Sequence, residues 1–212
     1  MSENLPPGHA PVVRSGANPM TRSNRPRWML EELGAPYELV RLDPKKGDNK
    51  TPEYLAINPT GKVPSLVDGD VTMFESAAIV AYLGDKFGER RLAPSFGSPD
   101  RAAYYQWLFF GMTTLEQPVS LYAKHSSTLP PEKRVAEVAD DAKAGVERAL
   151  APLDKTLAAR DWLLGPFSAA DIVVGATVLW ASGLKLLEGH PALLAYAKRL
   201  KERPAFQRSR KD

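Results

Sequence analysis

Three hydroxyls, Ser15, Thr21 and Ser23, stand around the start of one predicted helix, with Arg22, Arg25 and Arg27 beside them. Further along, Lys62-Val63-Pro64 leads into a short apolar run, and Glu75-Ser76 opens a second helix. A helix start offers free N–H groups that bind anions. A proline at the head of a strand can follow a cis bond. We expect Val63–Pro64 to be cis, which turns the Val63 backbone N–H and C=O outward to pair with a peptide ligand. The same residues have plainer roles. Glu75 complements the helix macrodipole, Ser76 helps to cap, Thr21 or Ser23 serves as an N-cap, and the three arginines form a solvated face. The chain has no cysteine, so no thiol chemistry comes from the protein itself. His9, His125 and His190 are scattered without ligand spacing, so no metal is expected.

The elements that must position these residues follow from turn chemistry and periodicity. Asn58-Pro59-Thr60-Gly61 is a turn. Ser65-Leu66-Val67 and Val71-Thr72-Met73-Phe74 read as strands joined by the hairpin turn Asp68-Gly69-Asp70. In the helix that follows, Ile79, Tyr82 and Leu83 recur at i, i+3 and i+4.

Upstream, residues 1–10 form a disordered tail, residues 10–15 a weak first strand and residues 16–20 a loop. A helix then runs to the stop at Gly34, with Met29, Leu30 and Leu33 as its apolar stripe. Pro26 is tolerable only in a first turn, which places the start near Ser23. Residues 37–42 alternate as a second strand, residues 43–51 are a polar loop, and residues 52–57 are a short helical turn. The order β-α-β-α, hairpin, helix fits a thioredoxin-like domain over residues 11–88.

Residues 89–98 have the Pro/Gly/Ser composition of a linker, and residues 99–212 carry helical patterns only. The reading is therefore α/β followed by all-α. One helix is expected from Pro99 to Lys124 with a kink at Pro118, and a second from Pro131 to Ala159 with a break at Pro152. Ser168-x-x-Asp171 is a capping box, and a last helix covers Pro191 to Arg203.

Composition narrows the partners. The 212 residues are 43% hydrophobic, enough to bury a sizeable core. A net charge of +3 is too mild for a nucleic-acid surface. The basic run Lys198 to Lys211 reads as a solvated helix end. No secretion signal, disulfide framework or membrane-length apolar run is present, so a cytoplasmic protein with neither membrane nor nucleic-acid partner is expected.

The run Asn58-Pro-Thr-Gly-Lys-Val-Pro64, the hairpin and Glu75-Ser-Ala-Ala-Ile79 together resemble the glutathione-binding half of the glutathione transferase family. Phe167-Ser-Ala-Ala-Asp-Ile172 and Arg203-Pro-Ala-Phe206 resemble that family's helical domain, so the resemblance spans residues 12–208. It implies a thioredoxin-like domain followed by an all-helical one, and a homodimer with residues 52–58 and the first long helices at its interface. It implies that the Val63 backbone pairs with the cysteinyl unit of glutathione, with Pro64 shaping that turn. Glu75 and Ser76 would hold the γ-glutamyl end, and Lys62 would reach a carboxylate.

The activity it implies is transfer of the glutathione thiolate to a small hydrophobic electrophile, in a detoxifying role. The other reading is a non-catalytic module of the same fold, for binding or assembly. No Tyr precedes Tyr37 and no Cys exists, so the Tyr-type and mixed-disulfide classes do not fit. Thr21 falls where serine-type and cysteine-type members carry the residue that faces the sulfur. It fits capping and catalysis equally, with Ser23 next and Ser15 a distant third. Tyr104, Leu108, Met112 and Tyr122 are candidates for the electrophile pocket.

Overall fold

A computed structural model describes residues 10–16 and 21–211. The tail expected over residues 1–10 lies outside these apart from Ala10, as do residues 17–20 of the loop after the first strand. The chain folds as two compact units. One runs through Arg90 and takes in Pro204 onward, and the other is Arg91–Arg203.

In the first unit the described elements are β1 (Val12–Gly16), α1 (Asn24–Leu33), β2 (Glu38–Leu42), α2 (Pro52–Ile57), β3 (Ser65–Asp68), β4 (Val71–Phe74) and α3 (Ser76–Lys86). The sheet order is β2-β1-β3-β4. β1 pairs parallel with β2 and antiparallel with β3, and β3 pairs antiparallel with β4. This is the thioredoxin-like arrangement. Val13 lies opposite Leu66, and both are fully buried. Trp28, Met29 and Leu30 of α1 and Ile79, Val80 and Leu83 of α3 are fully buried as well. Side chains alternate along a strand, so this register decides which face of β1 and β3 meets the helices.

Helix α1 starts where Pro26 permits, with the proline in the first turn and no amide hydrogen required of it. It stops at Gly34, which takes a left-handed φ of 61° and returns its N–H to Glu31 C=O. The β3–β4 hairpin is tied to α3 through Asp68. Its carboxylate accepts from Tyr82 Oη at 2.8 Å and from Lys86 Nζ at 2.6 Å. Partial burial, with the Asp68 carboxylate beside it, pushes the Tyr82 phenol up to about 12.

Beyond the last expected helix the chain makes one more, α9 (Pro204–Ser209), which completes this unit. Phe206 stacks edge-on against Trp28 with ring centroids 4.8 Å apart. Arg208 Nε donates to Glu31 Oε2 at 2.7 Å, and Arg27 Nη2 donates to Lys211 C=O at 2.8 Å. The C-terminal basic run is therefore engaged with α1 at Arg208. It differs there from a plainly solvated helix end.

The second unit holds, among the described residues, α4 (Asp100–Phe109), α5 (Glu116–Ala123), α6 (Ala136–Ala158), α7 (Ala169–Gly183) and α8 (Pro191–Glu202). The single helix expected over Pro99–Lys124 is interrupted by a wider π turn, Phe110–Leu115, one turn before Pro118. Pro118 has no N–H to offer Thr114 and its ring would crowd that carbonyl, so the helix rewinds just upstream. A second π turn, Lys124–Thr128, follows α5. Helix α6 begins at Ala136, later than expected, because Arg134 and Val135 are extended. Arg134 is held there by donating Nε–H to Leu129 C=O and Nη2–H to Ser127 C=O, both at 2.7 Å. Pro152 lies within α6 without ending it.

The capping box is formed. Asp171 Oδ2 accepts from Ser168 N–H at 2.9 Å, and its Oδ1 accepts from Leu163 N–H and Tyr196 Oη, each at 3.0 Å. Burial pushes the Asp171 carboxyl up, and these bonds oppose the shift.

Candidate functional site

The site begins with the turn before β3. Gly61 N–H donates to Asn58 C=O at 2.9 Å, and Asn58 Oδ1 accepts from Thr60 N–H and Oγ1 at 3.1 and 2.7 Å. Asn58 Nδ2 also donates to Lys62 C=O at 2.6 Å, as does the Tyr54 hydroxyl. These bonds fix Lys62 C=O inward while the Lys62 side chain stays exposed. The next bond, Val63–Pro64, is cis, as expected. Neither the Val63 N–H nor its C=O takes part in a backbone ladder, which begins at Ser65. Gly16, at the end of β1, comes so close that a Cβ there would lie 3.3 Å from Val63 Cγ2.

Pairing of Ser65 with Phe74 across the hairpin brings Val63–Pro64 beside Glu75–Ser76. Glu75 is exposed, with φ 72° and ψ 107°, and makes no side-chain cap. A positive φ in a residue other than glycine costs about 1–3 kcal/mol and clusters at functional sites. Ser76, the first residue of α3, is buried, and the first backbone bond of that helix is Ile79 N–H to Glu75 C=O at 3.0 Å. The N–H groups of Ser76, Ala77 and Ala78 precede that bond and face the helix end as an anion site. The Ser76 hydroxyl lies at this end and accepts from Arg25 Nη1 at 3.1 Å.

Around α1 the three hydroxyls separate. Ser23 is fully buried, makes no capping bond, and accepts from Gly16 N–H at 3.4 Å. The expected capping by Ser23 is thus replaced by a tie to the end of β1. Ser15 is buried and donates to Gly16 C=O at 3.1 Å. Thr21 is exposed, and its C=O accepts from Asn24 N–H at 3.0 Å.

Three basic residues differ from their sequence reading. Arg25 and Arg27 were read as a solvated face but are 2% and 4% exposed. Arg25 Nη1 donates to Ser76 Oγ at 3.1 Å, across from α1 to α3. Lys50, placed in a polar loop, reaches the turn before Val63. A Cβ on Gly61 would meet Lys50 Nζ at 2.5 Å, and Asn49 Nδ2 donates to Gly61 C=O at 2.6 Å. The only sequence signal for Lys50 was a basic residue just before the Thr51 cap of α2. For Arg25 it was a position in the first turn of α1, directly before Pro26.

The structure brings Val63, Pro64, Glu75 and Ser76 together, with Lys50 and Lys62 on the turn side and Arg25 on the helix side. In the second unit Tyr104 and Leu108 are buried, while Met112 and Tyr122 are half-buried. Among the described residues no group of three or more His, Cys, Asp or Glu side chains could hold a metal ion. Nor, among these residues, is any helix long and apolar enough to cross a membrane.

A thioredoxin-like unit followed by a helical unit is an architecture shared with known proteins. Residues 16–85 match the glutathione S-transferase N-terminal domain, and residues 136–199 match its C-terminal domain. The chain is similar to glutathione S-transferase GstB of Escherichia coli K12, at 32% identity over 91% of this chain and 94% of that one. It is also similar to the disulfide-bond oxidoreductase YfcG of the same organism, at 31% identity over 88% and 89%. Among solved structures it resembles the Phanerochaete chrysosporium glutathione transferase URE2P6 in complex with oxidized glutathione. There the TM-score is 0.84 and the identity 30%, with 94% of each chain covered. A Pseudomonas fluorescens family member with two glutathione bound gives a TM-score of 0.85 at 27% identity, over 94% of this chain and 92% of that one. The chain belongs to the glutathione S-transferase family.

Proposed function

We propose that this protein is a transferase that binds glutathione at Val63–Ser76 and conjugates its thiolate to a small hydrophobic electrophile. The observation that carries the reading is the juxtaposition of the cis Val63–Pro64 turn with the strained Glu75 and the open start of α3. The Val63 backbone pairs with the cysteinyl unit. Glu75 receives the ligand's ammonium, the start of α3 receives the γ-glutamyl carboxylate, and Lys50 and Lys62 face the glycyl carboxylate. The protein supplies no cysteine, so the reacting sulfur is the ligand's.

A donor aimed at that sulfur and a helix N-terminus lower a thiol pKa from about 8.5 towards neutral. Thr21 is the hydroxyl we assign to this role. It alone of the three is exposed, while Ser15 and Ser23 are buried and bonded to Gly16. Residues 11–88, completed by α9, form the glutathione-binding domain. Residues 99–203 carry the electrophile pocket, with Tyr104, Leu108, Met112 and Tyr122 as its candidate walls. A homodimer in the cytoplasm is the expected assembly.

Retention on immobilised glutathione, followed by a conjugation assay with a generic aromatic electrophile, tests the reading. Retention with turnover is expected. Retention without turnover would support the non-catalytic binding module, and no retention would overturn glutathione binding and leave the assembly reading.

A further inference from the structure

We infer that Arg25 is a positioning residue that fastens the thiolate end of the site to the γ-glutamyl end by holding the Ser76 hydroxyl. The inference rests on the glutathione reading above and names a residue that the reading does not itself require.

Arginine is almost never fully buried without a partner. Arg25 is 2% exposed and sits on α1, one turn beyond Thr21. Its Nη1 donates to Ser76 Oγ at 3.1 Å in a buried bond between helices that pack on each other. A guanidinium only donates, so Ser76 must be the acceptor in this bond. The hydroxyl keeps its own proton, and that proton is directed to an acceptor other than Arg25. Beside it stand the N–H groups of Ser76, Ala77 and Ala78 at the positive end of α3. One O–H, three N–H groups and a buried guanidinium behind them converge where a carboxylate would lie. The low dielectric of the surroundings strengthens each of these interactions.

Arg25 therefore acts on the ligand through Ser76, at one remove. The same side chain fixes the first turn of α1 to the first turn of α3. Losing it should weaken glutathione binding and raise KM for glutathione, with kcat at saturating glutathione changed far less.

The test is a double-mutant cycle of Arg25→Met with Ser76→Ala. Glutathione Kd is read by calorimetry, and KM and kcat are read with an aromatic electrophile. Each single variant should raise Kd by about tenfold, the scale of one hydrogen bond to a charged group. The double variant should stay within about twofold of the worse single, because the two residues act as one unit. Arg25→Lys keeps the charge and one donor, so it should recover part of the loss.

Losses that multiply to about a hundredfold in the double variant would overturn the inference. So would a fall in kcat as large as the rise in KM. If Arg25→Met does not fold, Arg25→Lys with and without Ser76→Ala gives the same cycle. A wild-type protein that does not bind glutathione at all would sink the functional reading instead. A wild-type protein that binds, alongside Arg25 variants that bind equally well, would sink only this inference.

Discussion

Glu75 separates binding from backbone strain, because two substitutions remove the same carboxylate and differ only in what the backbone tolerates. Its φ of 72° with ψ 107° is a conformation that a residue with a Cβ rarely adopts, and the side chain makes no capping bond that a substitution would lose. Glu75→Ala keeps the strain of about 1–3 kcal/mol, and Glu75→Gly relieves most of it. Against this, glycine costs about 0.5–1 kcal/mol in unfolded-chain entropy relative to alanine. The net advantage of glycine over alanine is then about 1 kcal/mol. In a chain of this size that corresponds to roughly 2–4 °C in Tm. At an ordinary helix or loop position the order would be reversed. On the proposed reading both variants lose the partner of the ligand's ammonium, so both should bind glutathione about ten- to a hundredfold more weakly. Calorimetric melting and glutathione titration of the two proteins decide the matter. An alanine variant that melts at or above the glycine variant would refute the strain argument. Unchanged affinity in either would place the site elsewhere.

Three further outcomes are expected. Thr21→Val keeps the β-branched shape but removes the hydroxyl. It should leave glutathione Kd within a few-fold, raise the bound thiol pKa by about one to two units, and lower the rate at pH 7 by about tenfold or more. A raised thiol pKa means less thiolate at neutral pH, so the rate should partly recover as pH rises, and a pH–rate profile without that recovery would exclude Thr21. Ser23→Ala removes a buried hydroxyl that accepts from Gly16 N–H, so its Tm should fall while its pH–rate profile stays in place, and a shifted profile would move the sulfur donor from Thr21 to Ser23. Asp171→Asn must turn an NH2 donor towards either Ser168 N–H or Leu163 N–H, both of which donate to the carboxylate, which should cost about 2–4 kcal/mol on denaturant unfolding with little change in glutathione KM, and an equal loss of affinity would tie the capping box to the site.

Most of the thioredoxin-like half was legible because its signals are local. Gly34, the Asp68-Gly69-Asp70 turn and the alternation of residues 37–42 each report on their own few residues. Pro64 at the head of a strand marked the cis bond for the same reason. What escaped depends on distant partners. Arg25 and Arg27 carry charge, and partners of theirs, Ser76 and the C-terminal main chain, lie far away in sequence. Lys50 sits in a polar loop, and its approach to Gly61 depends on how α2 folds back. Helix α9 is short, and Phe206 is its link to Trp28 far away in sequence. In the helical half the capping box was readable from Ser168 and Asp171. The place where the long helix rewinds was not, because Pro118 perturbs the turn before it as well as its own.

The central claim is that the Val63 turn and the start of α3 form one glutathione site. An amide NMR titration of the ¹⁵N-labelled protein with glutathione tests it most directly. The account predicts saturable shifts that are largest at the N–H groups of Val63, Ser76, Ala77 and Ala78, with a single Kd common to all four. Absence of saturable shifts, or shifts confined to residues of Arg91–Arg203, would contradict it.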